Sequence, residues 1–161
     1  MSQLVQSIFV YVTYIRTTPE RLWSALTKPD FTREYWFGMR IETEWKRGAQ
    51  WKMLFPDGRV ADAGEILECD PPRRLVLKWR NEFRPELKVE GDAQCVIELE
   101  PEPDAVKLTI THSIGCADSK FIAAVSSGWP KVLSNLKSLL ETGSIVLTTP
   151  SHDHDTAQAR G

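Results

Sequence analysis

His112 is the residue of this sequence best placed to do chemistry. It falls in phase with Leu108 and Ile110 along Val106–Ile114, while Lys107, Thr109, Thr111 and Ser113 take the alternate positions. Alternation at period two puts it on the dry face of a strand. An imidazole there can orient a ligand's polar group or act as a general acid or base. The plainer account is a buried histidine bonded to a backbone group or a water. Asp57, Asp62, Glu65 and Glu68 lie along one hairpin. Paired carboxylates can do acid–base work, but a solvated strand face accounts for them more simply. His112 and Cys116 would give a metal only two ligands, with Cys116 past the end of the strand, so no metal site is expected. His152-Asp153-His154 lies in a polar tail and is given no designed role. The serines include none in a G-x-S-x-G elbow, and no glycine loop is built to cradle phosphate. No Ser/His/Asp or Cys/His set follows from the order of residues. The expectation is no cofactor and no assigned catalytic residue, with His112 as the one weak candidate.

Trp51, Trp79 and Trp129 also fall on faces that point inward. Core packing explains each alone. Together they fit a cavity lining better, because a closed core rarely takes so many indoles whose N–H must each find a partner. With Met53, Phe121 and Val125 on the same faces, these tryptophans and His112 form the expected ligand-binding set.

The element that must carry half of this set is residues 118–143. Phe121, Ile122, Val125, Trp129, Val132, Leu133, Leu136, Leu139 and Leu140 form one helical stripe over about seven turns. Asp118 suits the N-cap, and Gly143 suits the C-terminal position of positive φ. Pro130 has no N–H for the carbonyl of Ser126 and crowds it, so a kink is expected. The stripe keeps its phase across Pro130, so one bent helix is expected rather than two.

The remaining elements supply a surface for that helix. Residues 5–15 are rich in β-branched and aromatic side chains and read as a first strand. Thr18-Pro19-Glu20 opens a short helix that buries Leu22, Trp23, Ala25 and Leu26 and stops before Pro29. Asp30 caps a second, through Phe31, Tyr35 and Trp36, ended by Gly38. The period then changes from 3.6 to 2. Strands follow over 39–46, through Trp51, Met53 and Phe55, over 60–69 with Gly64 as a bulge, through Leu75, Leu77 and Trp79, through Cys95, Ile97 and Leu99, and over Val106–Ile114. Pro56-Asp57-Gly58 is a hairpin turn, and Pro71-Pro72 breaks a strand. Residues 82–91 read as a polar loop. Residues 144–161 are polar after Leu147 and read as a disordered tail, which leaves 1–143 as a single domain.

Short connections favour antiparallel neighbours. The fold class is α+β: a curved antiparallel sheet of six or seven strands wrapped on a long C-terminal helix, with two short helices after strand 1. A twisted sheet of that size curls, and one helix does not fill its concave face evenly, so a cavity between them is expected.

The chain of 161 residues suits one domain and buries roughly 70% of its unfolded surface. A net charge of −2 offers no basic surface, so nucleic acid is not an expected partner. No run of about 18 apolar residues exists to span a membrane. The start MSQLVQSIFVYV has neither a basic opening nor a small-residue cleavage site. Cys69, Cys95 and Cys116 read as reduced thiols of a cytoplasmic protein.

Residues 128–143, GWPKVLSNLKSLLETG, resemble the closing motif of the family related to the activator of the heat-shock-protein-90 ATPase, in the START-like or SRPBCC superfamily. Pro19-Glu20-Arg21-Leu22-Trp23, Gly64-Glu65-Ile66-Leu67-Glu68 and Pro71-Pro72-Arg73-Arg74-Leu75 carry the likeness in the same order, from about Val5 to Gly143. The resemblance implies a helix-grip fold with a deep hydrophobic cavity under the long helix. Superfamily members bind lipids, polyketides and other apolar molecules, and some are cyclases or hydrolases. The eukaryotic co-chaperone of the family carries a further N-terminal domain that makes much of its chaperone contact, whereas the likeness here begins at the first strand.

The first expectation is therefore binding of a small hydrophobic ligand between sheet and helix. A cyclase or hydrolase would need two or more convergent ionisable groups in that cavity, and only His112 is identified. A chaperone-interaction module would need a distinctive patch on the polar sheet face, where the charge is mixed. The sequence leaves homodimer formation open.

Overall fold

The computed structural model describes residues 5–148. Seven alternating segments pair into one antiparallel sheet: β1 (Ser7–Ile15), β2 (Arg40–Glu42), β3 (Gln50–Leu54), β4 (Val60–Asp70), β5 (Arg74–Asn81), β6 (Ala93–Pro101) and β7 (Val106–Ile114). Their spatial order is β1-β7-β6-β5-β4-β3-β2, so the one long-range pairing places the first strand beside the last. Two short helices, α1 (Pro19–Thr27) and α2 (Pro29–Tyr35), follow β1; a single turn, α3 (Pro85–Lys88), follows β5; and α4 (Lys120–Thr142) ends the order. The fold is α+β with a curved seven-stranded sheet, as the alternation predicts.

The core lies between sheet and α4. Val106, Leu108, Ile110, His112 and Ile114 of β7 are buried, and the residues between them are not. Phe121, Ile122, Trp129, Val132, Leu133, Leu136 and Leu140 of α4 are buried against that face, with Val125 and Leu139 half-buried beside them. The helix runs unbroken through Pro130 and ends at Gly143, whose φ of 88° lets its N–H reach the Leu139 carbonyl.

Thr18 caps α1 as expected, but the N-caps of α2 and α4 differ from the sequence expectation. Asp118 stands just outside α4 at φ 50°, and Ser119 is the cap, its Oγ accepting the Ile122 N–H at 3.0 Å. The carboxylate at this helix start comes from a distant residue. Glu90 accepts the N–H groups of Lys120 at 2.8 Å and Phe121 at 3.3 Å and the Ser119 hydroxyl at 2.5 Å. Burial raises its pKa, but these bonds and the Cys116 thiol outweigh that and hold it below the ordinary value. In α2 the N-cap is Lys28, and Asp30 pairs with Arg33 within the helix.

Three further expectations change. The strand expected over 39–46 is only Arg40–Glu42, because Trp45 takes φ 46° and turns the chain away. The loop at 82–91 contains α3, whose N-cap is Arg84; Asn81, at the end of β5, turns the chain toward it, its Oδ1 accepting the N–H groups of Phe83 and Arg84. One turn with a single buried residue, Leu87, leaves no helical period to read. Gly64 is not a bulge: the register shifts lie at Met53/Leu54 and Ile66/Glu68. Gly64 instead lies under the indole of Trp51, whose Nε1 donates to the Lys78 carbonyl at 2.9 Å. A Cβ at Gly64 would fall on that carbonyl oxygen.

Cys69, Cys95 and Cys116 are free thiols. Among the described residues no helix is long and apolar enough to cross a membrane, and no group of three or more His, Cys, Asp or Glu is placed to hold a metal. Of the tail expected after Gly143, residues 144–148 are described. Asn135, fully buried on α4, accepts the N–H groups of Val146 and Leu147 and donates to the carbonyls of Leu147 and Tyr35. Residues 149–161, with His152-Asp153-His154, lie outside the described residues.

Candidate functional site

The inner faces of three paired strands set the floor of the site. Register places Trp51 of β3 opposite Gly64 of β4, and Gly64 opposite Trp79 of β5. One step along, Met53 stands opposite Asp62, and Asp62 opposite Asn81. Trp51, Met53, Trp79 and Asn81 are buried, so Asp62 shares their inward face.

Three other elements close over that floor. Trp36 and Phe37 follow α2, Phe83 and Leu87 come from the segment around α3, and α4 brings Phe121, Val125, Trp129 and Val132. Between them is a pocket of about 90 Å³. Its back wall is an aromatic cluster: Trp36 lies 5.2 Å from Trp129 and 6.4 Å from Trp79, and Trp79 lies 6.0 Å from Trp129, centroid to centroid.

Five residues of the expected set line this pocket: Met53, Trp79, Phe121, Val125 and Trp129. Trp51 and His112 stand one layer behind. Trp51 packs edge-on against Trp79 at 4.8 Å, its N–H spent on Lys78. His112 is fully buried, 5.1 Å from both Trp79 and Phe121, and its Nδ1 accepts the Trp129 indole N–H at 3.0 Å. Burial pushes its pKa down to about 3, so it is neutral at physiological pH.

By sequence Asp62 is one of four carboxylates on a solvated face. The structure separates it from the others, because it is in phase with Gly64 and Ile66, which face the core. Among the described residues it is the one carboxylate that lines the pocket. Burial is the main cause that lifts its pKa to about 7; the Trp79 indole draws it back down and the charge of Glu82 raises it further. No cation pairs with Asp62 among the described residues, and the Trp79 N–H is buried without a hydrogen bond of good geometry. Arg84 and Lys131 also reach the lining, Arg84 paired with Glu86 at 2.9 Å. The readable signal for Asp62 is the spacing Asp62–Gly64–Ile66 opposite inward-facing Met53. Trp36, Phe37 and Phe83 lie in turns, where no period assigns a face.

Residues 16–141 match the profile of the family described as Activator of Hsp90 ATPase homolog 1-like protein. No curated protein matches the chain. Among solved structures, protein MLL2253 from Mesorhizobium loti is similar at a TM-score of 0.73 and 23% identity, over 86% of this chain and 100% of that one. The Aha1 dimer from Colwellia psychrerythraea is similar at a TM-score of 0.69 and 20% identity, over 85% and 98%. PFC0360w, an HSP90 activator from Plasmodium falciparum, is similar at a TM-score of 0.67 and 20% identity, over 83% and 95%. At these identities the likeness is one of fold.

Proposed function

The chain belongs to the family described as Activator of Hsp90 ATPase homolog 1-like protein, and we propose that this member binds a small, largely apolar molecule between the sheet and α4. The observation that supports this is the aromatic pocket itself: Trp36, Trp79, Trp129 and Phe121 converge on space they do not fill. A concave, mostly apolar space with a few polar groups is the usual form of a small-molecule site. The ligand is held within a single cytoplasmic domain, residues 1–143, without metal or organic cofactor. Among the described residues the ionisable groups in the lining are Asp62, Arg84 and Lys131; Arg84 is held by Glu86, no ion pair joins any two of the three, and His112 stands behind them bonded to Trp129, so no acid–base pair is assembled and binding is favoured over a cyclase or hydrolase. Native mass spectrometry of protein purified from its own host tests the reading. A small molecule that stays with the folded chain and leaves on denaturation supports it; a clean apo mass, with no apolar probe quenching tryptophan fluorescence, refutes it.

A second reading, protein contact, is favoured by the far side of the sheet. Ile8, Val10, Val12 and Tyr14 of β1 are 52%, 56%, 45% and 51% exposed, one row on an edge strand. β1 has no charge and no proline, the usual means of keeping an edge strand from pairing. The other edge, β2, is three residues long and carries Arg40 and Glu42. An uncharged strip meets its own two-fold mate without repulsion, so the occupant is a second copy of this chain. Sedimentation velocity should find a dimer that Val10→Lys dissociates; a monomer at every concentration rules it out. A chaperone contact, which the family name raises, is tested by adding the host's Hsp90-type chaperone and reading its ATPase rate.

A further inference from the structure

We propose that the pocket takes a ligand with a protonated amine on an apolar body, Asp62 serving as its counter-ion and the tryptophan faces as its walls. This rests on the reading of the pocket as a ligand site and names the class of ligand.

A carboxylate that faces a protein interior is normally paired, since an isolated buried charge is costly. Asp62 faces inward between Met53 and Asn81 and has no cationic partner among the described residues. The near groups do not supply one. Asn81 is uncharged, Arg84 is held by Glu86, and Lys131, which also reaches the lining from α4, forms no ion pair with Asp62. The elevated pKa, set mainly by burial, agrees with a carboxyl that has no cation beside it.

The walls supply the second half of the argument. Ring faces carry negative electrostatic potential and attract a cation within about 6 Å of the centroid, indole most strongly. Trp36, Trp79 and Trp129 pack against one another at 5.2 to 6.4 Å, so they form one continuous aromatic wall for a cation in the pocket to lie against. A pure hydrocarbon would leave the Asp62 carboxylate with no cation and only the poorly aligned Trp79 N–H beside it. An ammonium satisfies the carboxylate, and an uncharged hydroxyl does so less well.

The test compares benzylammonium with benzyl alcohol, matched in size and differing in charge, by tryptophan quenching and thermal shift at pH 8. In the unaltered protein benzylammonium should bind at least about tenfold more tightly than the alcohol. Asp62→Asn keeps the shape of the side chain and removes the charge. It should erase that preference and leave the alcohol within about twofold. Val125→Trp fills the pocket from α4 and should abolish both, which locates the probes. Equal affinity in the unaltered protein, or a preference that survives Asp62→Asn, overturns the inference and leaves the pocket standing as a site. If neither probe binds the unaltered protein, both readings are overturned.

Discussion

Trp129 on α4 donates its indole N–H to Nδ1 of His112 on β7, at 3.0 Å and out of contact with water. The bond ties the middle of the long helix to one position of one strand. Because Nδ1 accepts, the proton of the neutral ring sits on Nε2, which is buried without a partner. The two residues that the sequence marks as an aromatic liner and a chemical group are thus bonded to each other.

His112→Phe should cost on the order of 1–3 kcal/mol near neutral pH, since it leaves a buried indole N–H unbonded. The cost should depend on pH. The folded imidazole titrates at about 3 and the unfolded one at about 6.5. Below pH 6.5 the unfolded chain takes up a proton that the folded chain refuses, so His112 makes stability fall as pH drops toward 3. Phenylalanine has no such loss. Urea unfolding should therefore show the gap between the two proteins narrowing from pH 7.5 to pH 4.5; a constant gap would contradict the assigned burial.

Leu136→Ala should cost on the order of 2–5 kcal/mol, because the side chain is fully buried beneath α4 and its loss leaves a void. Lys137 is not the free surface residue that its place off the stripe implies: its Nζ donates to the Tyr14 carbonyl at 2.6 Å and pairs with Glu141 at 2.7 Å. Both contacts are part-exposed, so Lys137→Ala should cost about 0.5–1 kcal/mol. Equal costs at the two positions would mean that the helical face is misassigned.

Gly64→Ala should be among the most damaging small substitutions in the chain. The new methyl group would overlap the Lys78 carbonyl and press on the Trp51 indole nitrogen, so β4 and β5 would have to part. Overpacking of this kind costs about 1–3 kcal/mol or more. A melting temperature unchanged by Gly64→Ala would show that the close approach is not needed.

Glu90→Gln should destabilise the start of α4. Glutamine can accept with one oxygen where the carboxylate accepts from Ser119, Lys120 and Phe121 with two, and it carries no charge toward the positive end of the helix. A loss of about 0.5–2 kcal/mol is expected, of the size seen for lost N-caps, with hydrogen exchange quickening first in residues 120–123.

What the sequence makes legible is what repeats. β7 and α4 declare their faces through five and more residues in phase, so the sheet, the long helix and five liners of the pocket can be read from the order of residues alone. Single residues do not repeat. Glu90 reaches the α4 terminus from a different loop, Trp36 and Phe83 sit in turns, and α3 is one turn long. Asp62 is harder for another reason. The register shift at Met53/Leu54 lies beside it, and three acidic neighbours on the same hairpin argue for a wet face. Its inward direction is plain only when Met53 and Asn81 are seen on either side of it.

That direction gives the last prediction. The carboxyl of Asp62 titrates at about 7 in the folded protein and near 3.8 when unfolded. Below pH 3.8 both states are protonated and the residue costs nothing by ionisation. Between 3.8 and 7 the folded state keeps a proton that the unfolded state has released, so this residue's contribution to stability falls as pH rises and stays low above 7. Asp62→Asn mimics the protonated form at every pH. The variant should match the unaltered protein near pH 4 and be more stable at pH 8, by about 1–3 kcal/mol once the part-exposure of the site is allowed for. In the shared window from pH 3.8 to 6.5 the slopes of Asp62 and His112 have opposite signs, so the two contributions offset each other in the unaltered protein. Asp62→Asn should then gain stability as pH rises, and His112→Phe should lose it. A variant less stable than its parent at pH 8 would mean that the carboxylate is already compensated inside the protein, leaving no charge for a ligand's ammonium to neutralise.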